Sequence, residues 1–109
     1  MKVHVTIEGK DYEMELDTGA ALSIISEGHY RKYFSHVNLQ KSSVKLNTYT
    51  GDPIKVIGEI NVSVKYDEQV ELLPLIIVKE GPSLFGRNWL SKLTLDWKQI
   101  RSVSMSGSV

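Results

Sequence analysis

The feature that most constrains this chain is a two-residue rhythm at its start. Val3, Val5 and Ile7 alternate with polar residues, and after "EGKD" Tyr12, Met14 and Leu16 alternate again. Successive side chains of an extended strand point to opposite faces, so this rhythm marks strands with one buried face. "EGKD" supplies turn residues, which predicts a hairpin whose second strand runs out at Asp17. Asp-Thr-Gly follows, and then "ALSIIS", a short apolar run of buried-strand type. An ionisable carboxylate between two such segments is costly unless something requires it there. Asp17 is therefore the first candidate for chemistry.

The rest of the chain continues in short pieces. Ser26 is placed to cap a short helical turn over "EGHYRKYF", with Gly28 working against it. "SVKLNTYTGDPIKVIGEINVSVKY" reads as two β segments about Gly51, Asp52 and Pro53, the second running from Ile54 to Tyr66. "VELLPLIIVK" is a further strand, in which Pro74 favours an edge or a bulge. Trp89, Leu90 and Leu93 have helix-compatible spacing, and "LTLDW" reads as a last strand. Beyond Trp97 the serine-rich "KQIRSVSMSGSV" is expected to be loose or to pair at an edge. Many short strands without an internal repeat predict an all-β barrel or sandwich. The 109 residues fit one domain, expected at 1–97, with 98–109 as an extension.

Charge and composition narrow the partners. Thirteen basic residues against thirteen acidic ones leave no net field, which disfavours nucleic acid and anionic membranes. No stretch is apolar and long enough to cross a bilayer, and the start lacks the apolar core of a secretion signal. An intracellular, cytoplasmic setting is expected, and the lack of cysteine suits it. His4, His29 and His36 have no compact ligand spacing, so no metal is expected. "NVS" at Asn61 is a chance sequon in such a setting, and the tryptophans read as core or interface.

Asp-Thr-Gly alone is a weak signal, and an ordinary turn would account for it. Three segments in order, "LDTGAALSII", "KLNTYTGDPIKVIG" and "SLFGRNWL", are more specific. Together they resemble the retropepsin-type aspartic proteases, and most of all those of gypsy-type retrotransposons, over about Val3 to Trp97. The resemblance implies a closed retropepsin-like β-barrel with one short C-terminal helix, forming half of a two-fold dimer. It implies an aspartic endopeptidase that processes a polyprotein, in the cytoplasm or in virus-like particles, with no metal or cofactor. Asp17, Thr18 and Gly19 would form the catalytic loop. The chain has one Asp-Thr-Gly and no Asp-Ser-Gly, so the second carboxylate has to come from an identical chain.

Other roles follow from the same likeness. Ala20, Ala21, Ile54, Pro82 and Leu84 would contact an extended peptide, together with Tyr49, Thr50 and Gly51 of a flap whose tip is Gly51. Gly86, Arg87 and Asn88 would support the site. Retroviral relatives pair the arginine with an aspartate just after the tripeptide, where this chain has Ala21, so the partner of Arg87 is left open. Thr18, Gly51, Leu93, Leu95 and Trp97 are expected at the dimer interface. The C-terminal segment is expected to supply the dimer sheet alone, because the first hairpin uses up the residues before Asp17. Two rival readings share the fold: an inactive or domesticated dimerisation or peptide-binding module, and a cellular protease of the ubiquitin-shuttle type.

Overall fold

The computed structural model describes residues 1–48 and 50–96. β1 (Lys2–Ile7) and β2 (Lys10–Leu16) form the expected hairpin, in register from Ile7 opposite Lys10 to Lys2 opposite Glu15. Val3, Val5, Ile7, Tyr12 and Met14 all face inward and are buried, as the alternation requires. β3 (Ile24–Ser26) follows, then α1 (Glu27–Tyr33). β4 (Leu46–Asn47) and β5 (Pro53–Ile54) make a small separate hairpin. β6 (Val56–Tyr66) and β7 (Gln69–Val78) form a long one, and β8 (Leu84–Phe85) leads into α2 (Arg87–Leu90).

Six strands close into a barrel in the order β1-β2-β8-β3-β7-β6, with β6 returning to β1 through Thr6 opposite Lys65 and Ile7 opposite Val64. The fold class is all-β, as expected. Trp89, Phe34 and Phe85 are the largest fully buried side chains, and they fill the barrel with the inward residues of β1, β2, β6 and β7. A smaller cluster of Ile24, Ile76 and Val78 lies apart, packed with Leu22, Leu46, Ile54 and Leu84. No helix among the described residues is long and apolar enough to cross a membrane.

Several expectations are refined by the structure. The turn after Ser26 is a helix, so the described residues hold two short helices rather than the single C-terminal one. Ser26 Oγ accepts the His29 amide at 3.2 Å, and Arg31 pairs with Glu27 at 2.9 Å across one turn. Cap and ion pair together offset the helix cost of Gly28. The long arm from Ile54 to Tyr66 is broken at Lys55, because β5 turns away to pair with β4 while β6 joins the barrel. The register shift lies between Val56 and Gly58 and not at Pro74. Pro74 sits opposite Asn61, on a stretch of β7 whose other side has no strand among the described residues, since β3 reaches only Ile76 to Val78. Its carbonyl points to that open side and accepts the Trp89 indole N–H at 2.6 Å.

The segment read as a last strand forms none at Thr94, Leu95 and Asp96 of the single chain, and Leu93 and Leu95 are buried in its core. The Gln69 side chain accepts the Thr94 amide at 2.8 Å and donates to its carbonyl at 2.7 Å, which holds the segment against the barrel end. Trp97 and residues 98–109 lie outside the described residues.

Candidate active site

The path of the chain explains why Asp17 stands where it does. β8 lies between β2 and β3, parallel to one and antiparallel to the other, so the loop from Asp17 to Ser23 must arch over its end. The Asp17 amide continues the ladder by donating to Phe85 O at 3.0 Å. The Gly19 amide then donates to Asp17 Oδ1 at 2.9 Å, and the Ala20 amide to Asp17 O at 3.1 Å. Backbone thus orients the carboxylate at the mouth of the barrel. Asp17 is half-buried, while Thr18 and Gly19 are exposed.

The start of α2 fastens this loop from behind. Arg87 N donates to Ala20 O at 2.8 Å and Asn88 N to Ala21 O at 3.1 Å. The Arg87 guanidinium donates to Thr18 O at 3.1 Å, which supplies the partner that the sequence left open. Asn88 Oδ1 accepts from Ser23 N, Ser23 Oγ and Trp89 N, at 3.0, 2.9 and 2.9 Å. Ser23, fully buried, also accepts the Gly86 amide at 2.8 Å. A Cβ on Gly86 would stand 2.5 Å from Leu22 O and 2.9 Å from Ala20 O, so only glycine lets the strand pass this close to the loop.

In front of Asp17 lies an open cleft of about 380 Å³. Of the residues expected to act there, Asp17, Gly19, Ala20, Ala21, Ile54, Pro82 and Leu84 line it. Leu22, Ile24, Leu46, Asn47, Thr48, Glu80 and Gly81 line it too and were not foreseen. Pairing Ile54 across the hairpin would have pointed to Leu46, its opposite residue. The apolar wall is the uncovered side of the second hydrophobic cluster, which shares Leu22, Ile24, Leu46, Ile54 and Leu84 with the cleft.

The hairpin of β4 and β5 overhangs this cleft with a tip that is tied internally. Thr48 Oγ1 accepts the Asp52 amide at 3.1 Å and bonds Thr50 Oγ1 at 2.9 Å, and Thr50 Oγ1 donates to Asp52 Oδ2 at 3.0 Å. Gly51 takes φ +88°, a turn conformation that disfavours any side chain. Thr50 and Gly51 are exposed and do not line the cleft of a single chain. Tyr49 lies outside the described residues. Among the described residues, no three His, Asp or Glu side chains gather as a metal site.

Comparisons with known proteins agree with this architecture. The model of the family described as "gag-polyprotein putative aspartyl protease" matches residues 3–92. Among solved structures, the EIAV protease complexed with the inhibitor HBY-793 superposes with a TM-score of 0.74 at 18% identity, covering 87% of this chain and 92% of that one. The retroviral protease-like domain of Ddi1 from Leishmania major superposes with a TM-score of 0.64 at 15% identity, covering 84% and 75%. Both likenesses show a shared fold. No curated protein matches the sequence.

Proposed function

Since the chain belongs to the gag-polyprotein family of retropepsin-type aspartic proteases, we propose that it is an endopeptidase that works as a homodimer, each copy contributing Asp17. One observation carries the reading. A half-buried aspartate, oriented by backbone amides, faces an apolar cleft, in a chain with a single Asp-Thr-Gly. An isologous two-fold contact brings equal residues together, so it would pair the two Asp17 loops. The exposed Thr18 is then the next side chain at the axis.

The chemistry follows from the pairing. Two carboxylates a few ångströms apart cannot both ionise easily, so they share one proton. The ionised member takes a proton from a water as it attacks the peptide carbonyl, and the protonated member donates to the developing oxyanion. An extended peptide would lie along Ile54, Pro82 and Leu84, beneath a flap whose closure excludes water. The gag-polyprotein family description supports a polyprotein as the substrate. The likeness to the Ddi1 domain favours a second reading, a cellular protease or peptide-binding module on the same fold.

Asp17→Asn tests the mechanism. Peptide cleavage should vanish while the circular dichroism spectrum and self-association persist, and specific activity of the unmodified protein should rise with its concentration at low concentrations. Equal cleavage by Asp17→Asn would eliminate the catalytic assignment. A protein that cleaves efficiently as a monomer by sedimentation would eliminate the paired site.

A further inference from the structure

Among the described residues, the cleft that holds Asp17 has one other ionisable side chain, Glu80; the remaining described lining residues are Gly, Ala, Leu, Ile, Asn, Thr or Pro. Glu80 stands on the connection from β7 to β8, next to Gly81 and Pro82. Its neighbour Lys79 is engaged elsewhere: the backbone amide donates to Lys55 O at 2.9 Å, and the ammonium lies 3.6 Å from a Glu27 carboxylate oxygen. Glu80 is exposed, and among the described residues its carboxylate has no hydrogen bond or ion pair. A charge on the wall of an apolar cleft focuses its field into that cleft.

We propose that Glu80 selects peptides carrying a basic side chain, lysine or arginine, beside the positions that pack on Pro82 and Leu84. The inference rests on the peptide-binding reading of the cleft given above. A lysine or arginine suits the site because its methylene stem can lie along the apolar wall while its head reaches the carboxylate. An acidic side chain at the same position is repelled. In a two-fold pair each half brings its own Glu80, so the preference falls on both sides of the cleaved bond. A solvent-accessible pair of this kind is worth about a 1.4- to five-fold preference, and added salt weakens it.

Two measurements test this and separate it from the protease reading. A peptide library is digested with the protein and with Glu80→Gln, and all cut sites are read by mass spectrometry. Enrichment of lysine and arginine at a fixed position on each side, lost in Glu80→Gln, supports the proposal. Cleavage without that enrichment, or enrichment that survives in Glu80→Gln, overturns it while leaving the protease reading intact. In parallel, the Asp17→Asn protein is titrated with fluorescent apolar decapeptides holding one lysine or one norleucine at each position in turn. Tighter binding of a lysine peptide that disappears when Glu80→Gln is added supports the proposal even if the unmodified protein cuts nothing, the outcome that sinks the protease reading. Equal binding of both series overturns it.

Discussion

Gly86→Ala is the most direct probe of how the loop after Asp17 is held. The new methyl would meet three backbone atoms, Leu22 O at 2.5 Å, Leu22 C at 2.6 Å and Ala20 O at 2.9 Å, none of which can rotate aside. Gly86 has φ −95°, so the conformation itself suits alanine and the whole effect is steric. Reaching ordinary contact at 3.4 Å from Leu22 O requires about 0.9 Å of movement between strand and loop. Overpacking that forces backbone shifts costs ~1–3 kcal/mol. The same movement stretches the bonds from Arg87 N to Ala20 O and from Asn88 N to Ala21 O, at roughly 1 kcal/mol each. A loss of about 3 kcal/mol is expected, which lowers Tm by ~12–20 °C in a domain of this size. Displacing Asp17 by close to 1 Å should also reduce peptide cleavage ~100-fold at a temperature where the variant is folded. Val62→Ala provides the comparison, because it empties a buried site on β6 at a similar cost of ~2–3 kcal/mol without touching the loop. Thermal melts by circular dichroism and initial rates on a peptide substrate would be measured for both. Gly86→Ala that melts and cleaves like the unmodified protein, or Val62→Ala that loses equal activity, would refute the reasoning.

Two further expectations concern the supports of the site. Asn88→Ala orphans three donors that now converge on one oxygen and should cost about 3 kcal/mol. Asn88→Asp keeps that acceptor and removes a buried Nδ2 that has no partner among the described residues, so denaturant titration should place it well above Asn88→Ala in stability; the reverse order contradicts the assignment of the oxygen. Tyr12 bonds His29 Nδ1 at 2.6 Å and Ser83 Oγ at 2.7 Å, and burial pushes its phenol above the ordinary value, partly opposed by the Ser83 bond. The folded protein therefore keeps this proton to higher pH than the unfolded chain does, so stability is full below pH ~10 and falls as pH rises beyond it. Tyr12→Phe should make that alkaline decline shallower in urea titrations across pH, and an unchanged slope would contradict the burial argument.

What the amino-acid order determined alone was local and periodic. Alternation at Val3 to Leu16 decided the first hairpin, and the turn formers at Gly51 to Pro53 decided the small hairpin of β4 and β5. The ordered "LDTG" and "GRN" segments marked one end of the barrel as the place for chemistry. Such signals survive in sequence because each rests on neighbours a few residues apart. Tertiary structure decided the rest. Insertion of β8 between β2 and β3 brings Gly86 and Arg87 against the loop after Asp17, across some seventy positions of chain that no local pattern spans. The Gln69 side chain bonds both backbone groups of Thr94, between the buried Leu93 and Leu95, and a polar side chain bonding backbone leaves no periodic trace. Glu80 joined the cleft for the same reason: its surroundings come from strands and loops distant in sequence, and only the closed barrel assembles them.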